Sequence, residues 1–200
     1  MTKVARGGEA QYSRRVRGFF GSLWRGDLSA FEFVSVMVDE IQSAYRQAFL
    51  EGAAKCGIKE DELSSTELSR LATETNTDFA FLPGVADFIE ENSRANGVKL
   101  RSIMPRANIW INRYAAVRNL GQQLACKDKK LMWVISPAVK EHCVDALRLD
   151  GRVHRASVWE KYDIRPQSPL LQCKGFRCLC SWQETDDPAL PGRPPKLSGQ

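Results

Sequence analysis

Histidine is scarce in this chain: only His142 and His154 occur. Few histidines leave little material for histidine-driven acid–base relays, which are the commonest route to general catalysis near neutral pH. No glycine-rich phosphate loop or Walker-type motif is present, which removes the usual nucleotide-binding signatures. No uninterrupted apolar run approaches the ~20 residues of a membrane helix. The start, MTKVARGGEAQYSRRVRGFF, lacks the apolar stretch and small-residue cleavage site of a secretory signal. These absences lead us to expect a protein that is made in a reducing cytoplasm, has no membrane partner and is not an enzyme. There is also no internal repeat, and no paired C-x-x-C motif of the zinc-ribbon kind.

What is present is an ordinary globular composition of 200 residues, with 43% hydrophobic and 26% charged residues. A chain of this length buries a core without needing covalent staples. The net charge is +5, and part of the excess lies at the start, where Lys3, Arg6, Arg14, Arg15 and Arg17 meet only Glu9. Residues 1–18 therefore read as a flexible basic arm, a solvated segment or one that touches DNA phosphates or an acidic protein surface. Beyond it, Phe19, Phe20, Leu23 and Trp24 read as a short helix that docks on the body, or as a patch that docks on a partner.

Helical spacing dominates residues 19–126. Asp27 or Ser29 caps a helix running to about Cys56, with Val34, Met37, Val38, Ile41, Tyr45, Ala48 and Phe49 on one face. Ser64 and Glu67 form a capping box ahead of a helix carrying Leu68, Leu71, Phe79 and Phe81, which Pro83-Gly84 interrupts. A short helix follows with Val85, Phe88 and Ile89. Pro105 opens another, with Trp110, Tyr114, Val117, Leu120 and Leu124 inward and Arg106, Asn112, Arg113 and Arg118 on a solvated side. Residues 127–183 change texture. Leu131 to Ile135 reads as a buried strand, Asp150-Gly151 as a turn and Val153 as a second strand, while Trp159 and Tyr162 sit on a short helix. Residues 184–200 carry Pro188, Pro191, Pro194 and Pro195 and cannot fold alone, so they read as a tail or as an arm that orders on a partner. The expected class is mainly α: a helical body, a small α+β cysteine-rich C-terminal knot and extended terminal arms.

Six cysteines are unevenly spread. Cys56 and Cys126 stand alone at helix ends and receive no role, as small buried hydrophobes. Cys143, Cys173, Cys178 and Cys180 group together, the last three within the string Cys173-Lys174-Gly175-Phe176-Arg177-Cys178-Leu179-Cys180. Clustered thiols in a reducing compartment point to metal before disulfide. Zinc takes four soft or nitrogen donors at tetrahedral corners, so Cys143, Cys173, Cys178 and Cys180 are the candidate ligands, with His142 or His154 as substitutes. Four protein ligands would leave no open position for substrate, making the metal structural. Late disulfides, packed free thiols and a Cys143–His154 catalytic pair are the other ways to use these residues.

A family resemblance follows from Trp133, Glu141-His142-Cys143-Val144-Asp145, Leu149-Asp150-Gly151 and Trp159-Glu160. It continues through Arg165-Pro166-Gln167-Ser168-Pro169 and Leu171-Gln172-Cys173-Lys174-Gly175-Phe176-Arg177-Cys178-Leu179-Cys180-Ser181-Trp182. These segments, with Ala107-Asn108-Ile109-Trp110-Ile111-Asn112-Arg113-Tyr114 ahead of them, resemble the Mu-F-like phage head morphogenesis proteins, also called minor head or minor capsid proteins. The family pattern places a cysteine at position 146, where this chain has Ala146; Cys173 or His142 would then complete the ligand set. The resemblance implies a structural component of a tailed-phage virion, made in the host cytoplasm and present in several copies at the head or head–tail vertex. It would act by docking to portal or major capsid subunits. The alternative expectation is a nucleic-acid-binding module using the basic arm and the cysteine knot.

Overall fold

The structure, a computed structural model, describes residues 8–175 and 178–200. The chain divides into two compact units: Met1–Ala48 with Leu68–Tyr114, and Phe49–Glu67 with Ala115–Gln200. Helix and a small sheet account for its regular structure, as the mainly α expectation requires. The helices are α1 (Gly8–Arg25), α2 (Ala30–Ala54), α3 (Ser65–Phe79), α4 (Leu82–Glu91), α5 (Met104–Ala125), α6 (Val144–Leu149) and α7 (Ala156–Lys161). The strands are β1 (Lys130–Val134), β2 (Val153–Arg155) and β3 (Ser181–Glu184).

In the first unit, residues 8–18 correct the expectation of a flexible arm, because they begin α1. Tyr12, Val16, Phe20 and Leu23 are all buried, and their three- to four-residue spacing is helical. Arginines between those positions hide the pattern in the composition. The rest of the expected arm, with Lys3 and Arg6, lies outside the described residues. Ser29 caps α2, accepting from the Glu32 amide at 3.2 Å while the Glu32 carboxylate accepts from the Ser29 amide at 2.8 Å. This reciprocal pairing satisfies two donors that the helix start would otherwise leave open. Asp27, the other capping candidate, instead pairs with Arg25 at 2.6 Å.

Helix α3 departs from its expected apolar stripe. Leu68 and Phe81 are exposed, whereas Thr75 and Asp78 are buried. The reason is electrostatic. Arg113 on α5 is not solvated: its Nε donates to Asp78 at 2.7 Å and its Nη2 to Glu74 at 2.8 Å. The Tyr45 hydroxyl on α2 donates to the same Asp78 carboxylate at 2.6 Å. Burial opposes the charge on Arg113, but Asp78 outweighs it and holds the guanidinium pKa above its usual value. Burial also pushes the Tyr45 and Tyr12 hydroxyls up, which keeps both protonated. Pro83 sits in the first turn of α4, where its missing N–H leaves no bond unmade, so the Pro83-Gly84 pair starts a helix.

The second unit is built on the ends of α2 and α5 and on the sheet. A Cβ at Gly52 would overlap the Arg118 carbonyl oxygen, and one at Gly121 would overlap that of Phe49. Only glycine permits backbones so close. The antiparallel sheet has the order β2-β1-β3. β3 leaves no periodic signal in the sequence, because it is four residues long with only Trp182 buried. Its register sets Trp133 opposite Trp182, with ring centroids 5.4 Å apart and edge to face. Trp159 from α7 completes the group, 5.1 Å from Trp182 and 6.4 Å from Trp133. Each indole buries about 150–250 Å², worth roughly 4–6 kcal/mol of transfer free energy before entropy is charged.

Residues 184–200 also correct an expectation, since they fold back on this unit. The Leu190 amide donates to the Val153 carbonyl at 2.8 Å and the Gly199 amide to that of Leu170 at 3.0 Å. Leu197 is buried in the tryptophan-centred core. The polar, proline-rich composition describes what the segment cannot do alone, not what a ready-made surface lets it do.

Removing one member of a buried ion network leaves the others charged and unpaired. Arg113→Ala is therefore expected to destabilise the protein by about 3–5 kcal/mol in denaturant unfolding. Arg113→Lys should lose less, because it keeps the charge but not the forked donor geometry.

Candidate metal centre

Six cysteines meet in or against one hydrophobic core in the second unit. Cys56 and Cys126 are not isolated: they form a disulfide, with Cα atoms 5.6 Å apart and 70 residues of separation. The Gly52/Gly121 approach brings the two helix ends together. This corrects the expectation that neither residue has a role, because spacing alone cannot reveal a contact made through a helix crossing.

Cys143, Cys173, Cys178 and Cys180 remain free thiols. They form a string of sulfur contacts in which Cys173 hydrogen-bonds to both Cys143 and Cys178, and Cys178 in turn to Cys180. Backbone groups support the string. Cys143 is the N-cap of α6, and its sulfur accepts from the Ala146 amide at 3.4 Å. Gly175 bonds to Cys173 and the backbone of Cys180 to Cys178. The turn between them requires Gly175, at φ 74°, where a Cβ would also overlap the Gln167 carbonyl oxygen.

Burial raises the pKa of the Cys143 thiol. The contact with Cys178, then burial, raises that of Cys173 further. At Cys178 the contact with Cys173 favours the thiolate, but Cys180 and burial outweigh it and push the pKa up to about 11. Such thiols are protonated and poorly nucleophilic near neutral pH, and a metal binding them must displace their protons.

The donor set suits a soft cation: four sulfurs within one small module, three with a backbone hydrogen bond that favours the thiolate. Among the described residues, no three ligating groups stand together in a metal-holding arrangement. The two histidines take different places. His142 is half-buried beside Cys143 and is not among the groups acting on the thiols. His154 is buried edge-on to Trp159, 4.7 Å between centroids, with its ring bonded to the Leu190 backbone. Burial first, then Arg152, lowers its pKa. It acts in the aromatic core and does not join the thiol string, so the Cys143–His154 pairing is not formed.

Sequence reasoning passed over three residues that hold the string in place. Gln167 is buried and donates to the Cys178 carbonyl at 2.9 Å and also to that of Cys180. Its side-chain oxygen accepts from Asn119 on α5. Asp145 is buried and accepts from the Gln172 amide at 2.7 Å and the Ser198 hydroxyl at 2.9 Å, tying the residue before Cys173 to the tail. The Gln172 side-chain oxygen accepts from the Val144 amide at 3.0 Å. The signal available was their place inside the motif-like strings around Cys143 and Cys173.

Compared with known proteins, the chain matches no family model, no curated protein and no solved structure.

The Cys56–Cys126 bond spans a sequence separation of 70 residues, and closing such a loop removes about 4 kcal/mol of unfolded-state entropy in the chain-entropy model. Denaturant unfolding with and without reductant should therefore differ by about 2–4 kcal/mol. The difference should vanish in Cys56→Ser/Cys126→Ser.

Proposed function

We propose that this protein is a structural component of a tailed-bacteriophage virion. In this reading it is a minor head protein that works by docking to portal or major capsid subunits, in several copies per particle. The observation that carries the reading is the convergence of the residues that resemble the Mu-F-like class. Trp133, Trp159 and Trp182 form one aromatic core. Cys143, Cys173, Cys178 and Cys180 form one thiol string, and Gln167 of the Arg165–Pro169 segment holds two of its carbonyls. Motif residues scattered over some fifty positions of chain thus serve a single small module. Val144 and Leu147, one turn apart on α6, are exposed apolar side chains on that module, which suits docking on protein.

In the same proposal Cys143, Cys173, Cys178 and Cys180 hold one structural zinc. The ion would clamp Cys173, Cys178 and Cys180 to the start of α6, with Cys173 supplying the ligand that the family pattern places at position 146, where this chain has Ala146. The Cys56–Cys126 bond suits a protein that leaves a reducing cytoplasm inside a particle and is later exposed to oxidising surroundings.

Mass spectrometry of purified particles from the genome that encodes the chain is the test of the virion reading. Its peptides are expected at a fixed ratio to portal peptides; their absence from both mature particles and assembly intermediates would reject it. For the metal, native mass spectrometry of the purified chain under reductant should show one zinc. Chelator or Cys178→Ser should remove it, and His142→Ala should retain it. Full folding with no metal bound would remove zinc from the proposal while leaving the docking role open.

A further inference from the structure

From residue 92 to residue 127 the chain contains no aspartate or glutamate. Several cations in that stretch are engaged, such as Arg113 in its buried network and Lys127 with Glu67 at 3.6 Å. Arg94, Lys99, Arg101 and Arg106 remain exposed. None of the four forms an ion pair among the described residues; Arg106 instead lies over the Phe88 ring, 3.6 Å from its centroid.

Helix α1 lies alongside this segment within the first unit. The Arg94 amide donates to the Trp24 carbonyl at 2.9 Å, and the Trp24 indole donates to the Val98 carbonyl at 2.9 Å. Arg17 donates to the Asn108 side chain at 3.2 Å. Arg14, also exposed, sits three residues before Arg17, about one turn away along the helix axis. Many carboxylates of the unit are committed elsewhere. Asp27 pairs with Arg25, Glu40 with Arg15, and Glu74 and Asp78 with Arg113. Glu32 and Glu90 accept from the amides of Ser29 and Ala30 at the start of α2.

We propose that Arg14, Arg17, Arg94, Lys99, Arg101 and Arg106 form a docking face for the phosphate backbone of nucleic acid. Five of the six are arginines, whose forked donors match phosphate oxygens in pairs. The cations lie on three adjoining segments, α1, residues 94–102 and the start of α5, which suits an extended polyanion better than a single acidic group. No base-reading element is implied, so binding is independent of sequence and supplied by counterion release. This function is separate from docking to portal or capsid protein, and it uses neither residues 1–7 nor the thiol module.

The test is fluorescence anisotropy of the full chain with a labelled duplex of arbitrary sequence, titrated at several salt concentrations. A Kd of about 10⁻⁴–10⁻⁶ M near physiological salt is expected, with log Kobs falling against log[salt] at a slope of up to about −5. The triple variant Arg94→Gln/Lys99→Gln/Arg101→Gln should flatten that slope by about 2.7 and weaken binding at least tenfold at low salt. Lys140→Gln/Arg148→Gln/Lys196→Gln, with the same loss of charge in the second unit, should bind like the parent. Circular dichroism should show both variants folded. Absence of binding at low salt, equal weakening by the two triples, or displacement of the duplex by polyglutamate as readily as by unlabelled duplex would each overturn the proposal.

Discussion

Two glycines set how closely α2 and α5 run in the second unit, and much else there depends on that approach. Gly52 lies against the Arg118 carbonyl and Gly121 against that of Phe49. With no side chain between them, the helix ends converge until Cys56 and Cys126 bond. The same placement of α5 presents Asn119 to Gln167 and Gln123 to the Ile164 carbonyl at 3.0 Å. Gln167 then fixes the carbonyls of Cys178 and Cys180. A backbone contact near the middle of the chain thus fixes the position of two thiols more than fifty residues later.

The two units solve the problem of a unique interior differently. The first places Tyr45, Asp78, Glu74 and Arg113 in one hydrogen-bonded network. Buried charge adds little net stability compared with a well-packed apolar group, but its geometry tolerates few alternatives. The second relies on three tryptophans in contact, with the Trp159 indole donating to the Leu131 carbonyl at 2.9 Å. Large rigid rings give area and shape with few rotamers to lose. That rigidity suits a platform for the cysteine segment, which has little regular structure of its own.

The tail belongs to the same logic. Ser198 reaches Asp145, and Gln200 reaches the Tyr162 carbonyl at 2.7 Å. Asp145 also holds the Gln172 amide, so one buried carboxylate couples α6, the segment before Cys173 and the end of the described chain. The thiol string is thereby bordered by hydrogen-bonded elements of the second unit.

The sequence by itself determined the helices whose apolar residues recur on one face. The stripes of α2 and α5, the capping box at Ser64 and the strands around Leu131 and Val153 follow from local periodicity and local hydrogen bonding. So does the grouping of the last four cysteines, since three are covalently close along the chain. Tertiary structure alone decided that α3 buries Asp78 and exposes Leu68, because the deciding partner, Arg113, lies on another helix. It alone paired Cys56 with Cys126, excluded His154 from the thiol string and folded residues 184–200 onto the second unit. Periodicity reports which face of an element is apolar. It does not report which distant polar group or which backbone contact will meet that face, and at these positions such long-range meetings set the free energy.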